Sequence, residues 1–184
     1  FEGFDSGLLT IQVVDMKNTI KISSKTRSYT GSPITLSTDE LKVYRGKVLV
    51  QPSEYQNAIQ YYDNVNAGTA TIIINTNNDD DPYNDGIYAT GTFKISAKRM
   101  KLVEDGGSID VGLEDDYEFQ GVPLEFVGQF LKDTETNVLL TEGVDYKMTL
   151  SKVAKPGYTT VSFTGKGNYT GTIKHKYEIK KIRE

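Results

Sequence analysis

The chain has 184 residues, no cysteine, no tryptophan and a single histidine, with a formal net charge of −4 at pH 7. These features exclude a disulfide scaffold and a tetrahedral zinc site built from Cys and His. Because acidic residues outnumber basic ones and no apolar run approaches the length of a membrane span, we expect no nucleic-acid partner and no membrane insertion.

Alternation of apolar and polar residues predicts short β-strands along the whole chain, whereas helical periodicity is hardly visible. In chain order, the predicted strands cover residues 8–14, 20–22, 41–44, 48–50, 69–74, 92–95, 146–150, 159–163 and 173–179. Clusters of Gly, Asn, Asp and Pro between them are typical of turns. Short helical turns are predicted only at residues 53–57 and 127–131. The fold class is therefore predicted to be all-β, with a sandwich architecture.

A short glycine-aromatic-glycine phrase occurs three times and indicates an internal repeat. Its closing glycines are Gly7, Gly91 and Gly171, which lie 84 and 80 residues apart. Each copy precedes an alternating run, so the phrase is predicted to form the turn into the closing strand of a unit. A chain that repeats a whole domain usually gains length or valency and not an active site.

Other landmarks recur in the same order, which divides the chain in two. We predict one domain over residues 1–98 and a second over 99–184, with residues 1–15 forming the closing strand of a preceding repeat. No flexible spacer separates the two, which favours a semi-rigid rod. The matching landmarks are residues 29–34 with 119–124, 48–50 with 138–140, 67–72 with 156–161, and Tyr55 with Tyr146.

The motifs at residues 29–34, 64–70 and 165–172 resemble those of immunoglobulin-like repeats in long surface proteins of clostridia-like and other Gram-positive bacteria. The resemblance covers nearly the whole chain and implies two tandem immunoglobulin-like β-sandwich domains. It also implies an extracellular location at the cell surface or cell wall, and a role as stalk, spacer or adhesion segment. Neighbouring repeats of the same protein, and host or cell-wall glycans or proteins, are the partners it implies.

An acidic loop over residues 75–86 has no counterpart of equal length in the second repeat. Its carboxylates are the hard oxygen ligands that calcium prefers, and Asp79, Asp81 and Asp85 are the candidate ligands. The spacing does not follow an EF-hand loop, and a solvated hairpin tip explains the same composition. Calcium binding and a plain surface loop both stay open.

Tyrosine is abundant, with 12 residues, and exposed rings can stack on sugars. Tyr61 and Tyr62 are the candidate glycan-binding pair. Tyr29, Tyr55, Tyr88, Tyr146 and Tyr169 recur between the copies, which predicts that they are core or corner residues. The absence of tryptophan weakens the glycan hypothesis.

No catalytic constellation is apparent, so we predict that the chain is not an enzyme. His175 lies between two lysines and is predicted on the outward face of the closing strand. The acidic stretch at residues 114–118 offers adjacent charges in a turn and not the spaced, desolvated pair of a glycosidase. Lysine, asparagine and aspartate are numerous enough for an intramolecular isopeptide bond, but the sequence indicates no buried triplet.

The sequence thus predicts a non-catalytic tandem segment of a bacterial surface protein. Two alternatives stay open: an accessory carbohydrate-binding module of a secreted glycoside hydrolase, and a virion decoration or fibre domain. All three use β-sandwich modules, so composition and periodicity do not separate them.

Overall fold

The computed structural model describes residues 17–77, 86–151 and 154–182. Within these ranges the chain is all-β, with short 3-10 turns at Pro52–Glu54, Gln56–Ala58 and Val103–Asp105 as its only helical elements. The strands are β1 (Asn18–Ile22), β2 (Thr26–Ser28), β3 (Leu41–Arg45), β4 (Val48–Leu49), β5 (Ile59–Tyr62), β6 (Gly68–Asn75), β7 (Tyr88–Ser96), β8 (Lys98–Arg99), β9 (Ile109–Val111), β10 (Asp116–Glu118), β11 (Leu131–Asp133), β12 (Val138–Leu139), β13 (Tyr146–Leu150), β14 (Gly157–Gly165), β15 (Tyr169–Thr170) and β16 (Thr172–Lys180).

Strands β1 to β7 form two sheets around one hydrophobic core, and we call this set the first unit. A three-stranded sheet has the order β1-β3-β4, and a four-stranded sheet has the order β2-β7-β6-β5. Both sheets contribute to the same core, because Leu41 and Val43 from one layer are fully buried with Ile72 and Phe93 from the other. This arrangement is a β-sandwich.

Strands β9 to β14 and β16 form the second unit, and its sheets repeat the order of the first. Its three-stranded sheet is β9-β11-β12, and its four-stranded sheet is β10-β16-β14-β13. In each unit a three-residue strand, β2 or β10, runs parallel to the closing strand, while the other pairs are antiparallel. A separate core surrounds Leu131, Val161 and Phe163.

Strand register shows which residues of the two units are equivalent. Strands β6 and β14 both begin at a glycine, Gly68 or Gly157, and both glycines have positive φ, 149° and 136°. Counting from these glycines, Ile72 corresponds to Val161. Because Ile72 pairs with Gly91 and Val161 pairs with His175, Gly91 corresponds to His175 and not to Gly171.

The prediction that Gly91 ends a turn is therefore wrong. Gly91 lies inside β7, where a Cβ atom would be 3.2 Å from Ile20, so the close approach of β1 explains the glycine. Tyr88, predicted to be a core residue, is 54% exposed, whereas Tyr169 is only 3% exposed. The short phrase at residues 86–91 resembles the one at 167–171 without sharing its place in the fold.

Several local predictions are confirmed. Tyr55 and Tyr146 are both buried, and the Tyr55 hydroxyl donates to the Leu41 carbonyl at 3.2 Å. Strand 146–150 has the predicted bounds, and the helical turn at 53–57 overlaps two 3-10 turns. The predicted turn at 127–131 is wrong, because Leu131 begins β11 and pairs with Val111. The predicted strand at 8–14 lies outside the described residues.

Replacing Gly157 with Ala tests the backbone geometry at the start of β14. No atom lies within 4 Å of the added Cβ, so the cost comes from the φ of 136°. We expect the variant to lose about 1 to 2 kcal/mol of unfolding free energy, measured by urea denaturation. Gly112→Ala is the control, since Gly112 has no positive φ and its nearest contact would be an ordinary 3.6 Å. Equal losses in the two variants would contradict this explanation.

Candidate functional site

The most unusual chemistry among the described residues is a buried ionic cluster where the two units meet. Lys98 lies in β8, directly after the closing strand of the first unit, and its Nζ is 2.8 and 2.9 Å from the two carboxylate oxygens of Asp133. The same ammonium contacts Glu135 Oε2 at 2.6 Å. Asp133 is fully buried, whereas Glu135 is 70% exposed.

Asp133 ends β11, where it pairs with Ile109 on one side and with Val138 on the other. Its counterpart in the first unit is Arg45, which pairs with Val48 at the same place in the β3–β4 hairpin. A buried carboxylate without partners would be strongly destabilising. Here it accepts hydrogen bonds from the Tyr169 hydroxyl at 3.0 Å and from the Glu135 amide at 3.1 Å, in addition to Lys98.

The pKa shifts of the two groups favour the ionised pair. Burial by itself raises the pKa of the Asp133 carboxyl, but hydrogen bonds from Lys98, Ser108 and Tyr169 outweigh burial and hold that pKa below its ordinary value. Burial likewise lowers the pKa of Lys98, and hydrogen bonds to Asp133 and Glu135 reverse this, so the pKa lies above its ordinary value. Burial, followed by the charge of Asp133, raises the pKa of the Tyr169 hydroxyl, which therefore stays protonated and donates.

Lys98, Asp133 and Glu135 are also the residue types of an isopeptide triplet, which the sequence did not indicate. Amide formation between Lys and Asp requires a neutral amine and a protonated carboxylic acid, with loss of water. The pKa shifts of Lys98 and Asp133 are in the opposite directions. Both shifts favour the charged forms, and they therefore favour a salt bridge over a covalent cross-link.

Side by side with the ionic cluster, an aromatic pair joins the two cores. The rings of Tyr29 and Tyr169 lie 5.6 Å apart between centroids at an interplanar angle of 74°, an edge-to-face contact that is favourable beyond its buried area. Tyr29 packs against the buried residues of both cores. Thr136 of the second unit also lies against Gly31, where an added Cβ would be 3.0 Å away.

The Asn168 side chain forms hydrogen bonds across the same junction. Its Oδ1 accepts from the Ala67 amide at 2.7 Å, and its Nδ2 donates to Asn66 Oδ1 at 3.0 Å. Its carbonyl accepts from the Lys98 amide at 2.8 Å, next to the parallel pairing of β8 with β15. One asparagine thus bonds the first unit, the connecting segment and the second unit.

We call this set of contacts the junction cluster: Tyr29, Asn66, Ala67, Lys98, Asp133, Thr136, Asn168 and Tyr169. The side chains of Lys98, Asp133, Asn168 and Tyr169 form hydrogen bonds within the cluster, and Lys98 also bonds Glu135, so the charged groups are engaged in structure and are not presented to a substrate. What this arrangement can do is hold the two units in one relative orientation.

Comparison with protein-family models gives no match, and comparison with curated proteins gives none either. The resemblance to immunoglobulin-like surface repeats therefore stays a prediction. No helix within the described residues is long and apolar enough to cross a membrane.

The candidate glycan pair does not form a shared platform. Tyr61 and Tyr62 are adjacent in β5, so their side chains point to opposite faces of the sheet. Tyr61 is half-buried, and its hydroxyl is bonded to the Leu36 backbone, whereas Tyr62 is 47% exposed. Glycan binding stays a prediction, with Tyr62 as the ring that the surface presents.

The candidate calcium ligands Asp79, Asp81 and Asp85 lie outside the described residues. Within the ranges that are described, no group of three or more His, Cys, Asp or Glu side chains could hold a metal ion.

The prediction that His175 faces outward is wrong. Its side chain is only 15% exposed and lies on the same face of β16 as the buried Ile173 and Tyr177. Its Nε2 is 2.9 Å from the Glu114 carbonyl, and its ring stacks on Tyr177. The neighbouring acidic residues also differ from the expected turn, since Asp116 begins β10 and forms a salt bridge with Lys180.

Sequence reasoning missed the three residues that define the junction cluster: Lys98, Asp133 and Asn168. A signal for Asp133 exists, because the strand Leu131–Asp133 alternates in burial and places a charge at an inward position. No comparable signal exists for Lys98 or Asn168, whose partners are distant in sequence.

Replacing Asp133 with Asn removes the charge that neutralises Lys98 while it preserves side-chain shape. We expect a loss of about 2 to 4 kcal/mol of unfolding free energy in urea denaturation, since one charge is left without its buried partner. Glu135→Gln is the matched control: it removes the exposed partner of the same ammonium and is expected to cost less than about 1 kcal/mol. A larger effect for Glu135→Gln than for Asp133→Asn would contradict the assignment.

The ion pair also predicts a pH dependence. The lowered pKa of Asp133 means that its contribution is present above the ordinary value of 3.8 and is lost as pH falls through the folded-state value. The raised pKa of Lys98 means that its contribution is present below 10.5 and is lost as pH rises through the folded-state value.

We expect the difference in unfolding free energy between the native chain and a Lys98→Met, Asp133→Val double variant to be constant between these limits. The native chain should lose stability relative to the double variant at the acidic and the alkaline ends. Urea denaturation across the pH range measures this, and parallel curves throughout would show that the pair is not ionised in the folded state.

Proposed function

We propose that the chain consists of two tandem immunoglobulin-like β-sandwich domains and is a non-catalytic segment of a bacterial surface protein. In this role it acts outside the cell as a stalk or spacer, or as an adhesion module. The observation that carries the proposal is the junction cluster, because a spacer needs a defined geometry between its units and the cluster supplies one.

The repeated strand order supports the tandem arrangement. Each unit has seven strands in a three-stranded and a four-stranded sheet within the described residues, a count typical of the immunoglobulin fold. A fold of this type supports many functions, so the fold alone does not identify the activity.

The course of the chain through each unit supports an end-to-end array. In the first unit the Tyr29 amide donates to the Ser96 carbonyl at 2.9 Å, and in the second the Phe119 amide donates to the Lys180 carbonyl at 2.9 Å. The closing strand therefore leaves both units at the same place relative to their sheets. In the first unit this exit leads directly into β8 and the junction cluster.

Short connections and side-chain bonds across the junction favour a stiff pair over two freely moving domains. If the two units moved apart, the Asn168 side-chain amide and the Asp133 carboxylate would lose hydrogen-bond partners that they hold across or beside the junction. Because buried polar groups without partners are costly, separation of the units is disfavoured. Elongated, stiff pairs extend a protein away from its anchoring point, which is what a stalk requires.

Spin labels test the stiffness directly. The chain has no native cysteine, so Lys47→Cys and Lys147→Cys place one label on an exposed position of each unit. We expect pulsed electron resonance to give one narrow distance distribution for the labelled chain. Asn168→Ala should broaden that distribution, because it removes both side-chain bonds to the first unit.

Asn57→Ala is the control, since Asn57 is an exposed residue of the first unit outside the junction cluster. A broad distribution in the chain without the Asn168 substitution would overturn the stiff-spacer proposal. A narrow distribution that Asn168→Ala leaves unchanged would contradict the role given to the Asn168 hydrogen bonds and would assign the stiffness to the other junction contacts.

A further inference from the structure

An open cleft lies beside the edge strand of the second unit. It has a volume of about 570 Å³ and lies between β13 and the loop that precedes β11. Its lining is mainly apolar: Val122, Pro123, Leu124 and Leu150, with Gln120 and Glu125 at the polar part. Val122 is 60% exposed.

Strand register identifies what fills the same place in the first unit. Leu150 pairs with Val161, and Tyr61 pairs with Ile72, the residue equivalent to Val161. Leu150 is therefore the counterpart of Tyr61. The equivalent bonds of the Tyr29 amide to the Ser96 carbonyl and of the Phe119 amide to the Lys180 carbonyl make the loop at 119–126 the counterpart of the loop at 29–36, with Phe126 in the place of Leu36.

In the first unit, the Tyr61 ring closes this space and holds the loop. Its hydroxyl accepts from the Leu36 amide at 2.9 Å and donates to the Leu36 carbonyl at 3.2 Å. Asn64 adds two bonds to Ile34: its carbonyl accepts from the Ile34 amide at 2.8 Å, and its side-chain amide donates to the Ile34 carbonyl at 2.9 Å. A phenol ring thus links the edge strand to the loop.

In the second unit, Leu150 has no hydroxyl and is too short to close the space. The Phe126 amide and carbonyl, counterparts of the two groups that Tyr61 binds, form no hydrogen bond with another residue that the structure describes. The Phe126 ring itself packs into the core against Tyr117 and Tyr177. The space that a phenol occupies in one unit is therefore an apolar cleft in the other.

We propose that this cleft binds the phenol ring of a tyrosine presented by a partner polypeptide. The ring packs between Leu150 and Val122, and its hydroxyl bonds to the Phe126 backbone, as Tyr61 does with Leu36 in the first unit. The apolar lining suits an aryl ring better than a sugar, which would bury several hydroxyls without partners.

The location of the cleft supports a polypeptide as the occupant. The loop that forms one wall is the counterpart of the loop whose residues Tyr29 and Gly31 contact the second unit at the junction. The cleft therefore lies on the surface that corresponds, by the repeat, to an existing contact between polypeptide units. This inference does not depend on the spacer role, since a cleft of this kind binds its ligand whether or not the junction is stiff.

Titration with N-acetyl-tyrosine amide, followed by heteronuclear NMR, tests the proposal. We expect saturable shifts at Val122, Leu124 and Leu150, with a dissociation constant on the order of 1 mM for so small a probe. N-acetyl-leucine amide is the comparison probe and should bind about tenfold or more weakly. Equal binding of the two probes, or no shift at these residues with the tyrosine probe, would overturn the proposal.

The internal repeat offers reciprocal variants. Leu150→Tyr should fill the cleft, abolish the probe-induced shifts and raise the melting temperature. Tyr61→Leu should open an equivalent cleft, so that new probe-induced shifts occur at Ile34 and Leu36 of the first unit. Val122→Ser changes an exposed wall of the cleft and should weaken binding even where the other variants fold poorly. Unchanged binding in Leu150→Tyr or in Val122→Ser would show that the probe binds elsewhere.

Discussion

The salt bridge between Lys98 and the fully buried Asp133 is the constraint on which the arrangement of the two units depends. A carboxylate without exposure requires partners, and Lys98, Tyr169 and the Glu135 amide provide them. Lys98 belongs to the segment that leaves the first unit, whereas Asp133 lies in the central strand of a sheet in the second. The demand for charge neutralisation therefore fixes the connecting segment against the second core.

The other junction contacts follow from that attachment. Once Lys98 is held, β8 pairs with β15, and this pairing brings Asn168 and Tyr169 next to the first unit. Asn168 then bonds Asn66 and Ala67, and Tyr169 packs edge-to-face on Tyr29. Each contact is modest by itself, but the Asp133 carboxylate is fully buried, and a charged pair in a less polar environment is more strongly coupled.

The two units share one fold but differ at equivalent positions, and these differences give the second unit an ionic attachment and an open cleft that the first unit does not have. Arg45 is replaced by Asp133, whose buried carboxylate forms the ionic attachment to Lys98. Tyr61 is replaced by Leu150. The Tyr61 hydroxyl holds the adjacent loop by hydrogen bonds in the first unit, whereas an open cleft lies beside Leu150 in the second. Gly91, which Ile20 approaches closely, is replaced by His175, whose Nε2 lies 2.9 Å from the Glu114 carbonyl. In each case the strand pairing is retained and only the space between the elements changes.

The sequence by itself determined the all-β class, most of the long strands, the buried Tyr55 and Tyr146, and the existence of a repeat. These properties follow from local alternation and turn residues, which act over a few neighbouring positions. Only the tertiary structure decided the register of the repeat, the inward position of His175 and the partners of Asp133. The reason is physical: pairing between distant strands sets which face a residue occupies, and a shift of one residue reverses it. In the sequence, Lys98 and Asn168 are indistinguishable from ordinary surface residues, because only folding places Asp133 and Ala67 beside them.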